Sequence, residues 1–124
     1  MYKGNINWRD NKIVIMNKLI IDNIDPIKSI CKKHFVKSLY VFGSAATNSM
    51  KEGSDVDFLY EIDIDNFHGW DNGEYDYVKN LADMQEELQN ILGRKIELIK
   101  NKYFQNKYFR SSIEQSKTMI YGSN

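Results

Sequence analysis

Apolar residues fall into two rhythms along this chain. From Tyr75 to Leu92 they recur at Tyr77, Val78, Leu81, Ala82, Met84, Leu88, Ile91 and Leu92, the spacing of a helix with one buried face. Gly93 follows, where a helix C-terminal glycine belongs. Ile27, Ile30, Cys31 and Phe35 mark a second helical face, with Lys28, Lys32 and Lys33 opposite. Asp25-Pro26 predicts its start, with Asp25 as N-cap and Pro26 at the first helical position. The other rhythm is short and nearly unbroken. Ser38 to Phe42, Asp55 to Ile62 and Lys95 to Lys100 predict three strands, and Thr118 to Tyr121 a further extended segment. Asn106 to Ser116 predicts a last helix, and the polar run 63–74 an exposed loop. The order of helix, strand, turn, strand, helix, strand and helix makes one α+β domain over residues 23–124. Residues 1–22 read as an N-terminal arm without an assigned role, in which Ile13 to Met16 suits an edge strand or a helix.

The polar residues that interrupt the strands carry the chemistry. Gly43-Ser44 closes the apolar run Leu39 to Phe42, and Asp55-Val56-Asp57 opens the next. A glycine lets a ligand approach the backbone closely. Ser44 offers a hydroxyl, and as the cap of a short helix at Ala45-Ala46 it would leave amides facing an anion. Strand side chains alternate, so Asp55 and Asp57 are expected on one face, with Cα atoms about 6.5–7 Å apart. Two carboxylates that close repel in a partly dry site unless a cation or a proton intervenes. Gly-Ser alone is an ordinary strand-to-helix turn, and Asp-x-Asp alone is common in loops. Joined by a ten-residue spacer and flanked by two strands, they read as a site for a metal-bound nucleoside triphosphate. Glu97 interrupts Ile96-Glu97-Leu98-Ile99. An acid in a buried strand needs a charge partner or a metal. Beside the Asp-x-Asp strand it completes an acidic triad; on an edge strand it would simply face water.

Composition narrows the class. With 124 residues, 42% hydrophobic and 16 aromatic, the chain suits one folded domain. The net charge is zero but segregated: residues 1–50 carry +5, 51–87 carry −10 and 88–124 carry +5. The acidic middle suits divalent cations, and the balanced total gives no support for a general nucleic-acid binder. The acidic loop 61–76 lacks the terminal Glu of an EF-hand. Lone Cys31 reads as a core thiol. No apolar stretch approaches the roughly 20 residues of a membrane span, and no signal peptide is evident, so a cytoplasmic location is expected. The arm and the aromatic tail leave self-association open.

Tyr40-Val41-Phe42-Gly43-Ser44, Ser54-Asp55-Val56-Asp57-Phe58-Leu59, Leu92 to Ile99 and the closing Ile113 to Gly122 resemble the DNA polymerase β-like nucleotidyltransferase superfamily. The short spacer and length look like its smallest branch, the minimal nucleotidyltransferase (MNT) antitoxins. The resemblance runs from about Asp25 to Gly122. It implies a small mixed sheet with helices packed on one side. It also implies attack by an acceptor hydroxyl on the α-phosphorus of a nucleoside triphosphate, with two Mg²⁺ ions stabilising the attacking and leaving oxygens. By that resemblance Asp55 and Asp57 hold Mg²⁺, and Glu97 binds the second metal or helps deprotonate the acceptor. Gly43 and Ser44 hold the distal phosphates. The partner implied is a HEPN-domain toxin, neutralised in some cases by transfer of AMP from ATP to a tyrosine.

Two departures stand out. The family often follows Gly-Ser with Ala-Arg-Gly one residue on, whereas here Gly43-Ser44 runs into Ala45-Ala46-Thr47-Asn48. The cation for the triphosphate is missing from its usual place, and Lys51 is the substitute the loop offers. The third acid is often Asp and here is Glu97. Both changes favour slow catalysis and keep a second reading in view, an antitoxin that blocks its partner by contact. Transfer to a small molecule such as an aminoglycoside is a third; the enzymes that do this usually carry an extra helical domain, and little chain follows Glu97.

Overall fold

The computed structural model describes residues 5–7, 12–14, 16–46, 50–51, 53–67, 74–100 and 117–122. Its elements are β1 (Asn5–Asn7), β2 (Lys12–Val14), α1 (Lys18–Asp22), α2 (Ile24–Lys33), β3 (Val36–Phe42), β4 (Val56–Ile62), α3 (Glu74–Leu92), β5 (Ile96–Lys100) and β6 (Thr118–Tyr121). β1 and β2 form a separate antiparallel pair. The main sheet has the order β5-β4-β3-β6. β3 runs antiparallel to β4 and β6, while β4 and β5 are parallel. A parallel pair needs a crossover, and α3 supplies it.

Period-two alternation drives the sheet onto its helices. Val56, Phe58, Tyr60 and Ile62 of β4 are buried in one cluster with Leu39 and Val41 of β3 and Ile96 of β5. The helices fill the same cluster with Ile24, Ile27, Ile30 and Cys31 from α2 and Met84, Leu88 and Leu92 from α3. The mixed sheet with helices on one side is thus the expected fold class. Burial pushes the Cys31 thiol up to about 12, as befits a core residue. Gly93 ends α3 at φ +64, its N–H reaching the Gln89 carbonyl at 2.8 Å. α2 is tied to α3 by buried His34, whose Nδ1 lies 2.8 Å from Asn80 Oδ1 and whose Nε2 meets the Glu87 carboxylate. Lys33 donates to that carboxylate at 2.6 Å and, with His34, holds Glu87 below the usual carboxylate range.

Several boundaries differ from expectation. Residues 16–22, expected as the end of an arm, pack into the core, with Met16 and Ile20 fully buried. α1 starts on Asn17, whose side chain accepts from Leu19 N–H at 2.8 Å. Asn23 then occupies the N-cap position of α2, so Asp25 and Pro26 are its second and third residues and not N-cap and first. Proline is tolerated there because first-turn amides have no intrahelical acceptor. The polar run after β4 contains a 3-10 turn, Ile64–Asn66, and a buried Phe67. Ring centroids 5.6 Å from Phe35 and 5.8 Å from Tyr77 hold Phe67 edge-on between them. The helix expected at 106–116 lies outside the described residues.

Candidate active site

β3 delivers Gly43 to the site. Phe42, the last residue of β3, is the antiparallel partner of Asp57. The chain then turns at Gly43 with φ +73, a conformation that favours glycine. A Cβ there would stand 3.3 Å from Asp57 Oδ2, so the turn and the carboxylate meet closely. The turn is a single 3-10 segment, Gly43–Ala45, with no side-chain cap. Ser44 therefore lies inside the turn and not at its N-cap, which is Phe42; Ala46 N–H donates to Gly43 O at 3.1 Å.

β4 and β5 supply the acids. Val56 and Phe58 face the helices, so Asp57 points to the other face of the sheet. In the parallel register its partner is Glu97. The Asp57 carboxyl is pushed up to about 6, first by burial, then by the hydrogen bond and charge of Glu97, then by the charge of Asp55. Asp55 is half-buried and lies one residue before β4, so strand alternation does not by itself place it beside Asp57. Glu97 departs from the expected burial. β5 is an edge strand and Glu97 is exposed, so no cost of burial demands a partner for it. Edge position and adjacency to Asp57 read as alternatives in the sequence, and the structure has both.

The donor chemistry fits a divalent cation. Asp57 and Glu97 stand side by side in the parallel register, and the charge of Glu97 helps to raise the Asp57 carboxyl, a repulsion that a cation between them would relieve. Asp55 adds charge from outside the strand. Among the described residues, no three His, Cys, Asp or Glu side chains are grouped tightly enough to form a finished metal cluster. Lys51 is exposed at the start of the turn before Asp55, and the Arg94 guanidinium donates to its carbonyl at 3.1 Å. Nothing in the sequence singles out Arg94, because a backbone carbonyl as partner leaves no trace in residue types. A cavity of about 570 Å³ lies elsewhere, lined by Lys28, Val36, Lys37, Asp63, Ile120, Tyr121 and Gly122. It gathers around the opposite end of β3 and contains none of the candidate site residues.

Residues 24–120 match the family described as Nucleotidyltransferase domain. The chain belongs to this family. The nucleotidyltransferase is 35% identical over 100 residues to a Methanocaldococcus jannaschii protein named "putative protein adenylyltransferase", covering 74% of this chain and 92% of that one. Its fold is shared with a toxin-antitoxin crystal structure containing AMP-PNP, at TM-score 0.57 and 15% identity over 82% of this chain and 75% of that one. It is also shared with a complex of a tri-AMPylated Shewanella oneidensis HEPN toxin and an MNT antitoxin, at TM-score 0.52 and 13% identity over 83% of this chain and 72% of that one. The polymerase β-like architecture expected from Gly43-Ser44 and Asp55-x-Asp57 is therefore the one observed. No helix among the described residues of the nucleotidyltransferase is long and apolar enough to cross a membrane.

Proposed function

We propose that this nucleotidyltransferase moves AMP from ATP to a hydroxyl of a partner protein in a Mg²⁺-dependent reaction, and that the partner is a HEPN-domain toxin it neutralises as an antitoxin. The carrying observation is the junction of Gly43 with the Asp57–Glu97 pair, 3.3 Å separating the glycine's missing Cβ from Asp57 Oδ2. A glycine turn that a ligand can approach closely and a carboxylate pair suited to a cation fit adjacent parts of one ligand, a metal-bound triphosphate. The protein adenylyltransferase name of the relative supports AMP as the group moved. The AMPylated toxin in a neighbouring complex supports a protein acceptor.

Each residue then has a task. The Gly43 backbone and the Ser44 hydroxyl receive the distal phosphates. Asp55, Asp57 and Glu97 would hold Mg²⁺, which neutralises triphosphate charge and polarises the reacting phosphoryl group. The acceptor oxygen bonds to the α-phosphorus, the bond to the bridging oxygen breaks, and pyrophosphate leaves. Glu97, open to solvent on the edge strand, can take the hydroxyl proton. With Mg²⁺ and labelled ATP, the purified protein should label its partner, and Asp55→Asn/Asp57→Asn should abolish the label. Undiminished labelling by that double variant would sink the assignment.

A second reading is a binding module that silences its partner by contact. It is favoured by Ala45-Ala46 in place of the usual Arg-bearing run. Neutralisation by the double Asp variant without nucleotide would establish it and make catalysis secondary.

A further inference from the structure

Two consecutive residues of the α3–β5 connection hold the two ends of the segment that carries Asp55. Arg94 Nη1 donates to the Lys51 carbonyl at 3.1 Å. The next residue, Lys95, accepts the Val56 N–H on its carbonyl at 2.9 Å. Between these anchors the chain makes a closed turn. Ser54 N–H donates to the same Lys51 carbonyl at 3.0 Å, and Lys51 N–H donates to Ser54 Oγ at 2.9 Å. Gly53 takes φ +82 within it, a conformation suited to glycine. Asp55 sits between the turn and the first residue of β4, so no ladder pairing fixes its backbone. Its placement against Asp57 depends on the anchors at either end. The Val56 anchor is a continuation of the β4–β5 pairing. The Lys51 anchor depends on one side chain, a guanidinium whose charge strengthens its bond to a carbonyl.

We infer that Arg94 is a positioning residue of the transfer site, acting through the Lys51 carbonyl to fix the turn that presents Asp55. The inference rests on the nucleotidyl-transfer reading of Asp55. Loosening the turn lets Asp55 wander by fractions of an ångström, a scale to which placement of reacting groups is sensitive.

The test compares the full-length protein with Arg94→Ala and Arg94→Lys. Partner labelling over a range of ATP concentrations should show kcat lowered about 10–100-fold in Arg94→Ala, the usual cost of losing a group that orients a metal ligand. KM for ATP should change far less, and Arg94→Lys, which keeps one charged donor, should recover most of the rate. Amide exchange by NMR gives a readout independent of turnover. Ser54 N–H should exchange roughly five-fold faster in Arg94→Ala, as expected for one weakened hydrogen-bond network, while Val56 N–H keeps its protection. Unchanged exchange at Ser54, unchanged kcat, or a loss confined to KM would each overturn the role of Arg94. A wild-type protein that transfers nothing would instead sink the reading of the site, and the positioning role with it.

Discussion

Replacing Asp57 with asparagine should stabilise the protein at neutral pH while removing its proposed chemistry. Folding raises the Asp57 carboxyl from its ordinary 3.8 to about 6, a preference for the protonated form of about 3 kcal/mol before screening. Asp57 is only partly buried, and solvent screening leaves about 1 kcal/mol of that figure. The sign follows from the direction. A carboxyl raised by folding favours the folded state where it is protonated, below the unfolded value of 3.8. That advantage shrinks as pH rises and is gone above about 6. The amide of Asp57→Asn carries no charge, so that variant retains the advantage at every pH. In metal-chelated buffer at pH 7.5, the melting temperature of Asp57→Asn should exceed that of the wild type by about 3–5 °C. At pH 4 the two should nearly coincide. Scanning calorimetry at both pH values measures the difference. An Asp57→Asn protein no more stable than wild type at pH 7.5, or one offset equally at both pH values, would refute the argument from the raised carboxyl.

Two other outcomes follow from the same geometry. Gly122 has φ +121, and a Cβ there would lie 2.7 Å from the Lys37 carbonyl oxygen and 3.1 Å from Ser38 Cα. Gly122→Ala should therefore cost about 2–3 kcal/mol in urea unfolding; a loss well below that range would mean that β3 and β6 can separate cheaply. Cation affinity should rise roughly ten-fold between pH 5 and pH 7 as the Asp57 carboxyl ionises. Mn²⁺ titration followed by electron paramagnetic resonance would show the rise, and a flat profile would exclude this carboxyl from the cation site.

The legible parts of this protein are those governed by neighbours in sequence. The stripe ending in Met84, Leu88 and Leu92 announced α3, and Gly93 announced its end. The alternation in Val56, Asp57 and Phe58 announced which residues of β4 face the helices. The less legible parts concern phase and neighbourhood. Asp25-Pro26 looks like a helix start, yet Asn17 and Asn23 set the helical boundaries upstream. Met16 and Ile20 belong to the segment read as an arm and still enter the core, because burial depends on where the fold leads the chain into α1. Ser44 offered a cap, but the 3-10 turn begins one residue earlier, at Gly43, with Phe42 in the cap position.

By itself the sequence determined the kinds of element, the glycine at the end of β3 and the acids that could meet a phosphate-bound cation. These follow from side-chain period and backbone preference, which act over a few residues. The tertiary structure decided the site. Only the parallel register of β4 and β5 sets Asp57 against Glu97, and only the antiparallel register of β3 brings Gly43 to the same carboxylate. Register is fixed by packing among residues far apart in the chain, so no local pattern encodes it. The hydrogen bond from Arg94 to the Lys51 carbonyl belongs to the same class. Every residue has such a carbonyl, and only the fold selects which one a guanidinium will reach.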